Sequence, residues 1–370
     1  MHILINASNL KAGGGLQVAD SVCKELYRFP QHVFTVVLSS FLCSTRDAIE
    51  RYPNVIVFEY NVQNNIQTLL FGRDKFLDKL VDERTIDAVL TVFGPSRWNP
   101  KIKHISGFAI SQLLIPESPY FALLGLKDRI KFGIYNLLLK FEFWRSGRNF
   151  YTENPFISER LRKLYPNVSV FTVTNYYNQV FDHPEQWKER RLASFDGTTL
   201  LTIATPYIHK NVTISAETAR LLKKQHPEFR FRFVFSFNRE DFKADISGIE
   251  ECFEFIGKVH ISECPSLYKQ CDLVFTPTLI ECFTAAYAEA MRMERPTVTT
   301  DLEFARGLCG DAAEYYSATN TQACADAIYH VATDKALYER LVRKGKVQLK
   351  SFDNYKQRAD KLIDIVTNKI

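Results

Sequence analysis

The stretch Asp272–Thr300, DLVFTPTLIECFTAAYAEAMRMERPTVTT, decides how this chain is read. Leu273–Phe275 is a short apolar run, Thr284–Met293 has helical spacing, and Thr297–Thr300 is a second, β-branched run. Strand, helix and strand in this order predict one βαβ unit of a parallel sheet. A helix N-terminus leaves backbone N–H groups unpaired and carries partial positive charge, both suited to a pyrophosphate. Thr284 stands where it can cap the helix and offer a hydroxyl to a phosphate. Glu281 lies just before the helix and Glu289 within it, eight residues on. Two carboxylates flanking such a terminus can accept hydrogen bonds from sugar and ribose hydroxyls. Taken alone, glutamates at this spacing are more often surface charges.

The same alternation runs outward in both directions. Upstream, Ile3–Asn6, Phe34–Ser39, Val55–Phe58, Ala88–Phe93, Lys103–Ile110, Asn149–Thr152 and Val168–Val173 read as strands separated by helical patterns. The pattern lapses at Asp182–Asp196, DHPEQWKERRLASFD, and a second series then begins with Leu200–Ala204. Short buried strands between helices imply parallel sheets covered on both faces. The 370 residues suggest two domains. The expected division is 1–185, 186–350 and a C-terminal helix, 351–370, packing back on the first domain. The fold class is α/β, with two doubly wound Rossmann-like domains and a ligand cleft between them at the carboxyl ends of the strands.

Composition narrows the setting. Apolar residues make up 46% and charged residues 24%, ordinary for a globular protein. No apolar run approaches the ~18 residues of a membrane span. MHILINAS reads as a strand rather than a leader, having no basic segment and no long apolar segment. Eight scattered cysteines form no C-x-x-C pair, which points to reduced thiols and a cytoplasmic protein. The net charge is +5, and residues 120–165 hold nine cations against four carboxylates. Within them Ile130, Ile134, Leu137, Phe141 and Trp144 form one helical stripe flanked by Lys127, Arg129, Lys131, Arg145 and Arg148. Such a helix is either buried or lies on an anionic membrane surface. Nucleic acid is not an expected partner.

Two further loops carry chemistry. Ala204-Thr205-Pro206-Tyr207-Ile208-His209-Lys210-Asn211 follows the first strand of the second series and precedes a helix. The helix dipole disfavours a lysine there, so Lys210 reads as functional, and its ammonium would neutralise charge on a departing diphosphate. His209 fits packing or the site equally. Gly13-Gly14-Gly15 lets the backbone approach a ligand closely after the first strand, or is a plain connection. No D-x-D pair marks a metal site, since Asp272 and Asp301 stand apart from any second carboxylate at that spacing.

From about residue 198 onward the chain resembles the retaining GT-B glycosyltransferases of family 4. Their hallmark is E-x7-E within E-G-F-G-x-x-x-x-E-A-M-A-x-G-x-P-V. Glu281-Cys282-Phe283-Thr284 through Glu289-Ala290-Met291 to Pro296-Thr297-Val298 fits that frame without a gap. Cys309-Gly310-Asp311-Ala312-Ala313 fits the family's downstream GDAA strand. Cys282 and Thr284 replace both glycines of E-G-F-G, and Glu294 replaces the glycine before Pro296. The resemblance implies a metal-independent, retaining hexosyltransferase with no cofactor beyond its nucleoside-diphosphate-sugar donor. Lys210 and Glu281 would carry the catalysis. Glu289, Thr284, Phe283, Cys282, His209, Asn211, Thr205 and Val259 would bind the donor, with base selection by backbone near Lys258 and Val259. Gly13, Gly14 and Gly15 would face the transferred sugar on the acceptor side. The acceptor implied is a glycan or polyprenyl-diphosphate-linked saccharide of bacterial O-antigen, lipopolysaccharide, capsule or exopolysaccharide synthesis. The enzyme would then be cytoplasmic, or peripheral on the inner membrane face. The competing readings are a nucleotide-sugar epimerase on the same architecture and a non-catalytic GT-B scaffold.

Overall fold

A computed structural model of the chain describes residues 1–63 and 65–370. They fall into two compact units. The first comprises Met1–Ile115, Leu126–Asn175 and Asp353–Ile370, and the second comprises Pro116–Gly125 and Tyr176–Phe352.

The first unit is built on β1 (His2–Ala7), β2 (Val33–Leu38), β3 (Val55–Glu59), β4 (Ala88–Thr91), β5 (Lys103–Gly107), β6 (Asn149–Thr152) and β7 (Ser169–Thr172). All pair in parallel, in the order β3-β2-β1-β4-β5-β6-β7. Strand β1 explains why its sequence is apolar throughout. Ile3, Ile5 and Ala7 enter one core with Val18 and Val22 of the helix Gly14–Lys24 and Leu362 and Ile363 of the helix Tyr355–Asp364. Leu4 enters the opposite core with Leu77, Leu80 and Trp98. A strand with both faces covered cannot alternate apolar with polar.

The terminal segment Asp353–Ile370 is tied to this unit by polar contacts as well. The Asp353 carboxylate accepts from the Thr174 amide at 2.9 Å, and the Arg358 guanidinium donates to Asn175. Glu153, Tyr151 and Arg358 are all buried, and the Arg358 charge acts on Glu153. Burial pushes the Glu153 carboxyl up to about 7, against the opposing pull of Arg358.

The second unit holds β8 (Thr198–Thr202), β9 (Phe231–Phe235), β10 (Phe253–Phe255), β11 (Leu273–Thr276), β12 (Thr297–Thr300) and β13 (Ala313–Tyr316). Their order is β10-β9-β8-β11-β12-β13, again parallel. One face is a phenylalanine-rich core. Phe233 meets Phe275 at 5.2 Å between ring centroids, and Leu222, Ile328 and Val331 of the covering helices complete it.

The unit boundary differs from the expected one. Residues 176–185 pack with the second unit: Phe181 is fully buried with its ring 5.8 Å from that of Tyr268, and the Trp187 indole donates to the Val180 carbonyl at 2.6 Å. The polar run Asp182–Asp196 therefore lies within that unit's surface, anchored by the aromatic residues it contains. Pro116–Gly125 also joins the second unit, through Ser118 among others, without a local pattern to announce it.

Close backbone approach fixes Gly107 on β5. A Cβ there would stand 2.0 Å from the Val92 carbonyl oxygen and 2.7 Å from the Tyr151 ring. Backbone cannot yield as a side-chain tip does, so Gly107→Ala should destabilise the chain by about 3 kcal/mol or more, the upper end for overpacking. Chemical denaturation monitored by circular dichroism measures this, and an unchanged midpoint would refute it.

Candidate functional site

In a doubly wound sheet, chain winding reverses between two neighbouring strands, and their C-terminal loops part to leave a crevice. In the second unit that reversal lies between β8 and β11. The loop after β8 carries His209 and Lys210 on a single 3-10 turn, Ile208–Lys210, ended by Asn211 in a left-handed conformation (φ 51°). The loop after β11 carries Thr278 and Glu281. Lys210 thus sits four residues ahead of the helix Ile214–Gln225 rather than in its first turn.

The two loops are stitched together. The Leu279 amide donates to the His209 carbonyl at 2.8 Å. The Lys210 ammonium donates to Glu281 Oε1, which also accepts from the Thr278 hydroxyl at 3.0 Å. His209 Nε2 lies 3.9 Å from the same oxygen. Burial holds the His209 imidazole below its ordinary range, and the Glu281 carboxylate only partly offsets this. Behind Glu281, the Ser118 hydroxyl donates to the Leu279 carbonyl at 2.7 Å, and the Thr300 hydroxyl donates to the Thr278 carbonyl at 2.7 Å. Lys210 and Glu281 are one-fifth exposed or less in their side chains, so the pair is shielded yet reachable.

Lys210, Thr284, Thr276, Thr278, Ala204 and Ala286 line one hollow over the ends of these strands. The helix behind it is Ala285–Arg292, with Thr284 at its N-cap in an extended conformation. The Thr284 side chain makes no capping hydrogen bond, contrary to the capping role its position suggested. The first-turn N–H groups are thus left uncapped by that hydroxyl at the hollow.

Glu289 is 6% exposed. The Tyr268 hydroxyl donates to its Oε2 at 2.8 Å. Burial pushes this carboxyl up to about 7, although the Tyr268 hydrogen bond acts the other way. Cys282 is buried, and Phe283 stands edge-on to Phe352 with ring centroids 6.0 Å apart. Thr205 is exposed, Asn211 forms the turn, and Val259 follows Gly257 (φ 70°) beyond β10. None of these three lines the hollow around Lys210.

In the first unit, Gly13 is the N-cap of the helix Gly14–Lys24 with φ 73°. A Cβ on Gly14 would meet nothing within 4 Å, so packing does not demand glycine there. The first sheet reverses between β1 and β4, and Asn9 spans the two loops by donating to the Phe93 carbonyl at 2.8 Å. Among the described residues no group of three or more His, Cys, Asp or Glu side chains is placed to hold a metal ion.

Sequence reading missed Thr278, Ser118 and Tyr268. Thr278 was findable as a hydroxyl three residues before Glu281. Ser118 lies 161 residues from its partner Leu279, and no local pattern could link them.

Residues 197–334 match the family model for glycosyl transferases group 1. No curated protein matches the chain by sequence. Among solved structures, a glycosyltransferase from Rickettsia africae is similar over 99% of this chain and 97% of its own, at TM-score 0.68 and 13% identity. WaaG, a glycosyltransferase involved in lipopolysaccharide biosynthesis, is similar over 100% of both chains at TM-score 0.68 and 13% identity. Anabaena HepE in complex with UDP and glucose is similar over 99% of both chains, at TM-score 0.64 and 13% identity. At these identities the likeness is one of fold.

A pH dependence follows from Glu289. Its raised pKa means protonation contributes stability that is complete below the ordinary carboxylate range and lost as pH rises through about 7. If its ionised form accepts ligand hydroxyls, affinity for a nucleoside diphosphate should rise between about pH 6 and about pH 8. Tyr268→Phe should move that rise to higher pH, and Glu289→Gln should flatten it. Calorimetric titration across this range is the check, with an unaltered profile in Glu289→Gln counting against the assignment. The chain has the GT-B fold, two parallel doubly wound sheets of seven and six strands, and its segment 197–334 matches glycosyl transferases group 1.

Proposed function

We propose that this protein is a glycosyltransferase that takes a sugar from a nucleoside diphosphate and passes it, with retention at the anomeric carbon, to a hydroxyl of a glycan or lipid-linked saccharide. One observation carries the reading. Lys210, Glu281 and Thr278 meet at the strand reversal of the unit that matches glycosyl transferases group 1, beside the helix that begins after Thr284.

The chemistry divides among these groups. The diphosphate lies over the N-terminus of the helix Ala285–Arg292, where N–H groups and the dipole favour negative charge. As the glycosidic C–O bond breaks, charge grows on the diphosphate oxygen, and the Lys210 ammonium stabilises it. This reading needs no divalent metal. Glu281 holds that ammonium in place and offers its remaining lone pairs to the donor sugar, near the carbon that becomes electron-poor. Glu289 in its ionised form accepts from the ribose hydroxyls. Gly13, Gly14 and Gly15 admit the sugar or acceptor to the first unit's crevice. A role in bacterial surface-polysaccharide synthesis accords with the work ascribed to WaaG.

The test is a panel of uridine, guanosine and thymidine diphosphosugars screened by thermal shift, with uridine donors first because HepE was captured with UDP and glucose. A ligand at a hundredfold excess over its Kd adds about 2.7 kcal/mol of stability. Lys210→Met should weaken nucleoside diphosphate binding and lower turnover by about a hundredfold or more, in the range seen when one charge-stabilising donor is lost. Nuclear magnetic resonance of the product should show the donor's anomeric configuration. Conversion of the donor without an acceptor would favour an epimerase instead. A folded protein that binds no member of the panel would favour a scaffold.

A further inference from the structure

The helix Leu126–Arg145 of the first unit is not a core helix. Its buried residues are Leu139, Glu142 and Phe143, all in its second half. The stripe singled out in the sequence faces solvent: Ile130 is 60% exposed, Leu137 67% and Trp144 70%, with Ile134 and Phe141 exposed between them. Solvent-facing apolar residues at single positions are ordinary, but a continuous stripe of five along one helix marks a surface that something covers.

A second segment extends the stripe, which the sequence did not suggest. Ile66, Leu70 and Phe71 are exposed beside and within the turn Gln67–Phe71. Arg145 ties that turn to the end of the helix, donating to the Leu69 carbonyl at 2.7 Å and the Thr68 carbonyl at 3.0 Å, while its guanidinium carbon lies 5.6 Å from the Phe141 ring centroid. Two separate stretches of chain therefore present apolar side chains around one anchoring arginine.

The charges beside this face have one sign. Lys127, Lys131 and Lys140 lie three or four residues from members of the stripe and so beside it on the helix. None of the three makes an ion pair among the described residues. Asp128 is the exposed carboxylate of the helix, and Glu142 is buried against Arg97 at 3.3 Å. A second copy of the same face would set lysines against lysines. An apolar stripe bordered by cations matches an anionic lipid surface, where the side chains enter the acyl boundary and the ammonium groups meet the headgroups. No helix among the described residues is long and apolar enough to cross a membrane.

We propose that the face formed by Leu126–Arg145 and Ile66–Phe71 is a docking surface for an anionic phospholipid bilayer, with the helix lying in the plane of the interface. This proposal does not rest on the donor chemistry proposed for the Lys210 site.

The full chain should be sedimented with vesicles of phosphatidylcholine alone and of phosphatidylcholine with phosphatidylglycerol. Sedimentation should require phosphatidylglycerol, fall with added salt, and be accompanied by a blue shift of Trp144 emission that Trp144→Phe removes. Two variants separate the components. Ile134→Ser/Leu137→Ser should lose binding at any salt, and Lys127→Glu/Lys131→Glu should lose the preference for anionic vesicles. Both alter exposed side chains, so their unfolding midpoints should stay at the wild-type value, which keeps a lost signal from being read as misfolding. Equal sedimentation with neutral vesicles, no sedimentation at all, or retention of binding in the double-serine variant would each overturn the proposal. So would a concentration-dependent dimer in light scattering that Ile134→Ser/Leu137→Ser abolishes, because the face would then belong to a second copy.

Discussion

Parallel strands cannot be joined by tight turns, so every connection in these sheets must cross over a face, and the side on which it crosses decides where a crevice opens. In the second unit the crossovers wind one way from β8 to β10 and the other way from β11 to β13. Neighbours β8 and β11 are thus the two strands whose following loops are not shielded by a shared crossover. One loop supplies Lys210, the other Glu281, and a backbone bond from Leu279 to His209 holds the two together. The Lys210–Glu281 ion pair depends on that pairing.

Within the site, the lysine and the first glutamate act as one unit rather than as two independent groups. Glu281 Oε1 accepts from both the Lys210 ammonium and the Thr278 hydroxyl. A long, flexible lysine stem is thereby oriented before any ligand arrives, which reduces the ordering cost of binding. Glu289 differs in kind. It is buried, carries one hydrogen bond from Tyr268, and has its carboxyl pushed up to about 7 by desolvation. Two glutamates of one motif therefore have opposite environments, one paired with a cation and one withdrawn from water. Cys282 and Thr284 stand where glycines are usual in the family the sequence resembles. Cys282 is buried, and Thr284 adopts an extended N-cap conformation and lines the hollow.

The first unit balances a well-buried sheet against one unusually exposed helix. Its core recruits Leu362, Ile363 and Val366 from the far end of the chain, and Asp353 and Arg358 bind that end to residues just after β7. The helix Leu126–Arg145 contributes little to this core, for its apolar surface exceeds what Leu139 and Phe143 can bury. Helical periodicity alone could not separate a buried helix from an exposed one, because both carry the same stripe. The exposure of Ile130, Leu137 and Trp144 rules out the buried alternative.

Much of this protein was legible in its sequence. Continuous apolar strands such as Ile3–Ala7 and Leu273–Thr276 are read from local pattern, since burial on both faces removes alternation. The motif from Glu281 to Glu289 is likewise local: a strand end, a loop and a helix within a few turns of chain. Tertiary structure decided the contacts that local pattern does not encode. The meeting of Lys210 with Glu281 spans 71 residues, and that of Ser118 with Leu279 spans 161. It assigned Tyr176–Glu185 and Pro116–Gly125 to the second unit, and it raised the Glu289 carboxyl through burial. Local periodicity reports which face of an element is apolar. Only the folded chain fixes what that face meets, and with it the desolvation and pairing that give a charged side chain its chemistry.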